Sequence, residues 1–417
     1  MFCIAAVLSY SDRQVLSLLV DPLRTDLQLT DFEVGLLAGV AFSLIYAVAG
    51  LALGRAADVL PRKTVVLAGI VVWSLATIAC GYAGSFAEFF AARAAVGIGE
   101  AALAPAAISM LTDSFPSERR GAAIGTFLMG MIIGSGAAIA IGGWVIQAAQ
   151  AGFFRGIPVL GELSPWRTVF VCLGLLGIPV IALVATIREP ERRHRAVTGA
   201  ARALPLREAL ARFNALRSFL VPLYIAMGLC NICDYALLSW TPSLLSRRFG
   251  LGAGEIGTVL GAVVVLAGVL GATGAGIVAD RLVRRGVQKA RLKLAYVMLL
   301  AGTLGTLVAA APSTALIFSL VGVWILASTS AQAAGLTILQ EIAPNEIRGL
   351  SVSISSLVNI GLGLALGAAL PALVVVYVLH DPQAVGLAMT VVALPTAIVA
   401  ILLYRRAMQR LDEVVTA

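Results

Sequence analysis

The sequence predicts an all-α membrane protein of twelve transmembrane helices, arranged as two pseudo-symmetric six-helix bundles. Three observations predict it. Apolar residues make up 60% of the 417 and charged residues only 12%, whereas a soluble domain carries roughly a quarter charged residues. Apolar runs of about twenty residues, enough to cross a hydrocarbon core, recur twelve times along the chain. Landmarks of the first half return in the second at a fixed offset, the signature of an internal repeat. The 42 glycines would weaken soluble helices but suit membrane helices that pack backbone to backbone.

Taken in order, the expected spans cover about 1–20, 32–58, 64–83, 88–112, 120–148, 166–187, 217–245, 255–280, 291–311, 314–340, 348–379 and 384–404. The opening run Phe2 to Leu8 has no basic leader and no small-residue cleavage site, so no cleavable signal peptide is expected. Most connections are short; the exceptions are 149–165, which bears Gly and Pro, and the basic stretch 188–216. Four regions follow: a six-helix bundle over 1–187, a cytoplasmic basic linker over 188–216, a second six-helix bundle over 217–404 and a cytoplasmic tail over 405–417. Within the linker, Pro205 to Phe213 reads as a short amphipathic helix begun by proline and lying along the membrane surface.

The repeat has a constant offset of 222 early in each half, relating Asp12 to Asp234, Glu33 to Glu255, Gly54 to Gly276 and Asp58 to Asp280. Later the offset is 228, relating Pro116 to Pro344, Arg120 to Arg348 and Gly121 to Gly349. Two parallel halves related by an axis along the membrane normal place a substrate path between them.

The net charge of +8 does not indicate nucleic acid, because the basic residues lie between apolar runs. Alternate loops hold 23 Lys/Arg on one side against 5 on the other, with Arg13 and Arg93 inside spans, which puts both termini in the cytoplasm of an inner membrane. Cys3, Cys80, Cys172, Cys230 and Cys233 fall inside spans, so neither a disulfide framework nor a metal site is expected. His194 and His380 lie in loops on opposite sides, and no GxxxxGK loop occurs. An enzyme and an ATP-driven pump are therefore disfavoured, no cofactor is expected, and energy must come from a gradient.

Ionisable groups at membrane depth cost several kcal/mol and normally line an interior cavity. Asp12, Arg13, Glu100 and Asp234 are such groups. Asp12 and Glu100 are candidate proton carriers competing for Arg13, since burial favours a protonated carboxyl and a guanidinium opposes it. An anionic head group reaching Arg13 would free a carboxylate to take a proton. The offset of 228 relates Glu100 to Ser328 and Arg93 to Val321, so coupling is expected in the first half. The second half would supply substrate contacts from Asn231, Asp234, Tyr235, Trp240, Trp324, Ser328 and Gln332.

Gly54 to Lys63 reads GRAADVLPRK after the second span, and Gly276, Asp280 and Arg281 repeat its pattern. Glycine permits close helix approach there, while the aspartate can cap a helix end and pair with arginine. The pair of copies resembles the signature of the major facilitator superfamily, as do Arg93, Gly97, Gly99 and Glu100 in the fourth span. The resemblance implies that fold and a conformational latch from Gly54, Asp58, Arg62, Lys63, Gly276, Asp280 and Arg281. Ser135 stands where the family's glycine-rich fifth-helix motif carries a proline.

Tyr10 to Gln14, with Gly97, Gly99, Glu100, Ala101 and Pro105, is most similar to the Spinster branch, whose members move lysolipids and sphingoid phosphates. That resemblance implies alternating-access transport of a lipid-like substrate with protons, by a monomer in the bilayer. The same Asp-Arg pair and fourth-helix glutamate belong to organic-anion and sugar-acid symporters of the superfamily. That reading, a drug-efflux antiporter and a lipid receptor that does not transport are the alternatives.

Overall fold

The computed structural model describes residues 1–158, 160–191, 208 and 213–415. The linker helix expected from Pro205 to Phe213 lies, apart from Glu208 and Phe213, outside the described residues. Among those described there is no β-strand. The first span is α1 (Phe2–Val15), a 3₁₀ turn and α2 (Val20–Asp26), and the second is α3 (Asp31–Ala38) and α4 (Val40–Val59). The third is α5 (Arg62–Tyr82), the fourth α6 (Phe86–Ala101) and α7 (Leu103–Ser114), the fifth α8 (Ser117–Gln150) and the sixth α9 (Pro165–Leu175) and α10 (Gly177–Ala185). The second half runs through α11 (Arg217–Phe249), α12 (Ala253–Arg284), α13 (Ala290–Gly302), α14 (Thr314–Ile342), α15 (Asn345–Val358) with α16 (Ala365–Leu373), and α17 (Val385–Val415).

Ten helices among the described residues are individually long and apolar enough to cross a membrane, and the bent first span makes eleven. The remaining expected span, 291–311, starts as α13 and continues in 3₁₀ turns, Thr303–Thr306 and Val308–Ala310. Its irregular end is stabilised from the twelfth span. Thr390 accepts from the Ala309 N–H (3.2 Å) and donates to the Thr306 carbonyl (2.9 Å), replacing ladder bonds that the α-helix would have made.

The breaks inside spans have local causes. Pro105 and Pro179 lack the N–H that would bond the carbonyls of Ala101 and Leu175, and α6 and α9 end at those residues. The first span bends by 65° after Leu18, which turns α2 and its Asp21 away from the axis of α1.

The helices form two compact units. The first comprises Met1–Val197 with Ser239–Val265 and Ala372–Gln383, and the second Thr198–Leu238, Leu266–Pro371 and Ala384–Ala417. In the first unit, glycines bring backbones together. A Cβ at Gly130 or Gly134 of α8 would lie 2.6 Å from the Cys3 carbonyl oxygen and 2.5 Å from that of Val7, both on α1. At Gly143 it would lie 2.4 Å from the Ala253 carbonyl oxygen on α12. Gly125 of α8 meets nothing within 4 Å.

Candidate functional site

The four ionisable residues of the first and fourth spans come together in the first unit. Asp12 and Arg13 are neighbours on α1; Arg93 and Glu100 lie seven residues apart on α6, two helical turns, so both face α1. All are buried, Asp12 at 2% exposure, Arg13 at 8%, Arg93 at 0% and Glu100 at 1%. Arg13 Nε donates to Glu100 Oε2 at 2.6 Å, and Ser9 Oγ donates to the same oxygen at 2.7 Å. The Arg13 guanidinium lies 4.6 Å from the ring centres of Tyr10, Phe42 and Tyr46, so its positive charge sits among aromatic faces.

Asp12 has Arg93 as a second cation beside it, which the sequence reading did not assign to it. Its Oδ2 lies 3.7 Å from Arg93 Nη1 and accepts from Thr77 Oγ1 at 3.0 Å. The physical reason is the helical period: successive residues point about 100° apart, so Asp12 and Arg13 reach different partners. The result is two adjoining ion pairs, Arg13 with Glu100 and Arg93 with Asp12. Four buried polar atoms keep unused capacity, Asp12 Oδ1, Glu100 Oε1 and Arg93 Nε and Nη2. Arg93 was legible as a charge within a span but not as the partner of Asp12.

In the second unit Asp234 is held by neutral donors. Trp324 Nε1 donates to Oδ1 at 2.7 Å and Ser328 Oγ to Oδ2 at 2.8 Å. The indole and hydroxyl therefore belong with the acid. Asn231 and Gln332 both donate to the Met227 carbonyl, at 3.2 and 3.1 Å, which ties α11 to α14. Tyr235 packs against Gly367, where an added Cβ would lie 2.7 Å from its own. Trp240 is 1% exposed, in the part of α11 that belongs to the first unit.

The latch residues contribute to a separate charge network in each half. Gly54 and Gly276 meet nothing within 4 Å, so neither is a point of close helix approach here. Asp58 is exposed. Arg62 is the centre instead, 2% exposed: it pairs with Asp113, and it donates to Ser109 Oγ at 3.0 Å, Glu189 Oε1 at 2.9 Å and the Pro190 carbonyl at 2.6 Å. The backbone N–H of Lys63 donates to Glu189 Oε2 at 2.7 Å, and its Nζ to the Ala185 carbonyl at 2.6 Å. Glu189 thus caps the positive end of α5. Burial works against its ionisation, but the donors of Lys63 and Arg62 outweigh this and hold its carboxyl below the ordinary range.

In the second half Asp280 pairs with Arg291 at 3.0 Å, eleven residues on, while Arg281 next to it is exposed. Arg291 also binds Glu341 at 2.7 Å. The repeat could have revealed this, because the offset of 228 relates Asp113 to Glu341.

A further cluster was read from sequence only as loop charge. Arg247 Nη2 lies 2.6 Å from Asp21 Oδ1 and 2.7 Å from Asp31 Oδ1, and Nη1 donates to Asp31 Oδ2 at 2.9 Å and to the Pro382 carbonyl at 2.9 Å. These residues all belong to the first unit, and the bend of the first span supplies Asp21.

The helical fold is shared with proteins of solved structure, and the sequence has curated relatives. The chain is 31% identical over 287 residues to an MFS-type efflux pump of Mycolicibacterium smegmatis, covering 68% of this chain and 62% of that protein. It is 28% identical over 309 residues to a probable L-galactonate transporter of Escherichia coli, covering 72% and 64%. The match thus spans less than two thirds of the length of either relative. Among solved structures, a bacterial homologue of the human lysosomal transporter Spinster, inward-facing and unoccupied, matches with a TM-score of 0.81 at 24% identity. That match covers 98% of this chain and 96% of the other. The family model described as Major Facilitator Superfamily matches residues 2–368, through both halves of the repeat, and the chain is a multi-pass membrane protein belonging to that superfamily.

Proposed function

We propose that this protein is a proton-coupled secondary transporter of an amphipathic, lipid-like anion of the lysophospholipid or sphingoid phosphate type, working by alternating access in a bacterial inner membrane with both termini cytoplasmic. One observation carries the reading: a buried arginine, Arg13, paired to one acid, Glu100, and surrounded by three aromatic rings. An arriving phosphate competes with Glu100 for the guanidinium, which offers a fork matched to phosphate oxygens. Once displaced, Glu100 is a buried carboxylate without its cation, and protonation removes that cost. Asp12 and Arg93 form the adjoining pair, which takes up the second acid. Substrate arrival and proton arrival are linked through one side chain.

The apolar part of the substrate is supported by the aromatic shell and by a cleft of about 560 Å³ between the first, fourth and fifth spans. Phe2, Leu111, Phe115 and Phe127 line it, with Arg119 as a basic group among them. Transport of a small sugar acid is the second reading, favoured by the galactonate transporter among the relatives. The substrate contacts proposed in the second half are Asn231, Asp234, Tyr235, Trp240, Trp324, Ser328 and Gln332.

The test is uptake into proteoliposomes of a lysophosphatidic acid and of galactonate, each with and without a pH gradient. Gradient-stimulated uptake of the lysolipid alone is expected; uptake of galactonate alone would replace the first reading with the second. Glu100→Gln should lose gradient dependence while keeping counterflow, and Arg13→Ala should lose binding. Full gradient dependence in Glu100→Gln would remove the coupling proposal, and saturable binding without flux would identify a receptor.

A further inference from the structure

The acid of the second half has a construction unlike that of either acid in the first. Asp234 stands at the repeat position of Asp12, but no cation lies within ion-pair distance of it among the described residues. Its two oxygens are served by chemically different groups. The Trp324 indole N–H can only donate, so Oδ1 is committed as an acceptor. The Ser328 hydroxyl can donate or accept, and it faces Oδ2 at 2.8 Å. When Asp234 is ionised, Ser328 donates to Oδ2. When Asp234 is protonated on Oδ2, the acid can donate to Ser328 Oγ across the same contact, so one hydroxyl can serve either protonation state of the acid.

The titratable groups around it are thiols and phenols. Cys230 and Cys233 neighbour it on α11, Tyr235 follows it, and Tyr404 of α17 approaches Cys230. The facing helix α14 presents Trp324 and Ser328, with Gln332 one turn on. Asp234 is half-buried.

We infer that Asp234 is a second proton-carrying site, located in the second half, with Ser328 as its exchange partner and Trp324 as its fixed anchor. The inference rests on the proton-coupled reading of the transporter and adds a titrating group to it, so the proton content of one chain changes at two separate places.

The test is infrared difference spectroscopy of the purified full-length chain, titrated from alkaline to acid and read at the stretch of the protonated carboxyl group. Asp234→Asn should remove one carboxyl from the difference spectrum, about one proton per chain. Ser328→Ala should keep that carboxyl but displace its midpoint by about half a pH unit, the size of one lost hydrogen bond. A spectrum of Asp234→Asn that matches the parent overturns the inference. If Asp234→Asn does not fold, Ser328→Ala decides: a displaced midpoint supports the site and an unchanged one overturns it. Asp12→Asn and Glu100→Gln, titrated alongside, separate the two readings. Loss of a carboxyl in these variants but not in Asp234→Asn sinks the second site and leaves first-half coupling standing. Loss in Asp234→Asn alone does the reverse.

Discussion

Asp12 and Asp234 occupy one position of the repeat and live in opposite electrostatic settings. Asp12 has Arg93 at 3.7 Å and a threonine donor; Asp234 has an indole and a hydroxyl and, among the described residues, no cation in range. The partner helices are repeat mates too, the fourth span carrying Arg93 and Glu100 where the tenth carries Val321 and Ser328. Duplicated scaffold has thus kept the place of the carboxyl while the counter-group changed from charge to neutral donor. The lesson is that a repeat transmits geometry faithfully, whereas the chemistry at each position is set side chain by side chain.

The largest expected effect tests that difference directly. Asp12→Asn leaves the buried Arg93 guanidinium uncompensated and should cost about 3 kcal/mol or more in stability. Asp234→Asn leaves no charge behind, since an amide oxygen still accepts from Trp324, and should cost about 1 kcal/mol or less. Thermal unfolding of both variants in one detergent reads the comparison. Equal losses would mean that the two acids are held alike.

The two latches sharpen the same contrast at a smaller scale. Arg62 has a side chain 2% exposed, whereas Arg291 is 15% exposed and its acids Asp280 and Glu341 are 58% and 48% exposed. A buried network loses more than a solvated one when its cation is removed. Arg62→Ala should therefore cost about 2–4 kcal/mol and Arg291→Ala about 1 kcal/mol or less, measured by the same melting experiment. An Arg291 variant as damaged as the Arg62 one would show that the second latch is equally structural.

The smallest effect is a pH dependence of the first latch. Glu189 has its carboxyl held below the ordinary range in the folded chain, so its contribution to stability is present above the ordinary value. It is lost as pH falls through the folded value. The stability difference between the parent and Glu189→Gln should stay constant from neutral pH down to about 5 and close below about 4. A difference that shrinks already near neutrality would place the shift in the wrong direction.

Much of the fold was legible because a membrane span announces itself by length and composition alone. Irregularity was harder to read. The ninth span has an apolar stretch like the others, yet it leaves the α-helix after Gly302 because Thr390, far along the chain, offers alternative hydrogen bonds. The site was legible in its members Asp12, Arg13 and Glu100, since charges inside apolar runs stand out. Their pairing was not, because the direction of a side chain around a helix depends on how neighbouring helices are rotated. Arg247 shows the same limit: as a loop charge it looked ordinary, but in the fold Asp21 of the bent first span and Asp31 at the start of the second both pair with it.

By itself the sequence determined that the chain is helical, spans a membrane repeatedly, consists of two related halves and buries a few charges at repeat-related positions. These properties follow from hydropathy and spacing, which are local or periodic and need no knowledge of contacts. Tertiary structure alone decided which charge meets which: Arg13 with Glu100, Arg93 with Asp12, Arg62 with Asp113 and Glu189, and Asp234 with neutral donors. An ion pair needs approach within about 4 Å, where its energy falls steeply with distance and burial. That separation is fixed by helix rotation and packing rather than by composition.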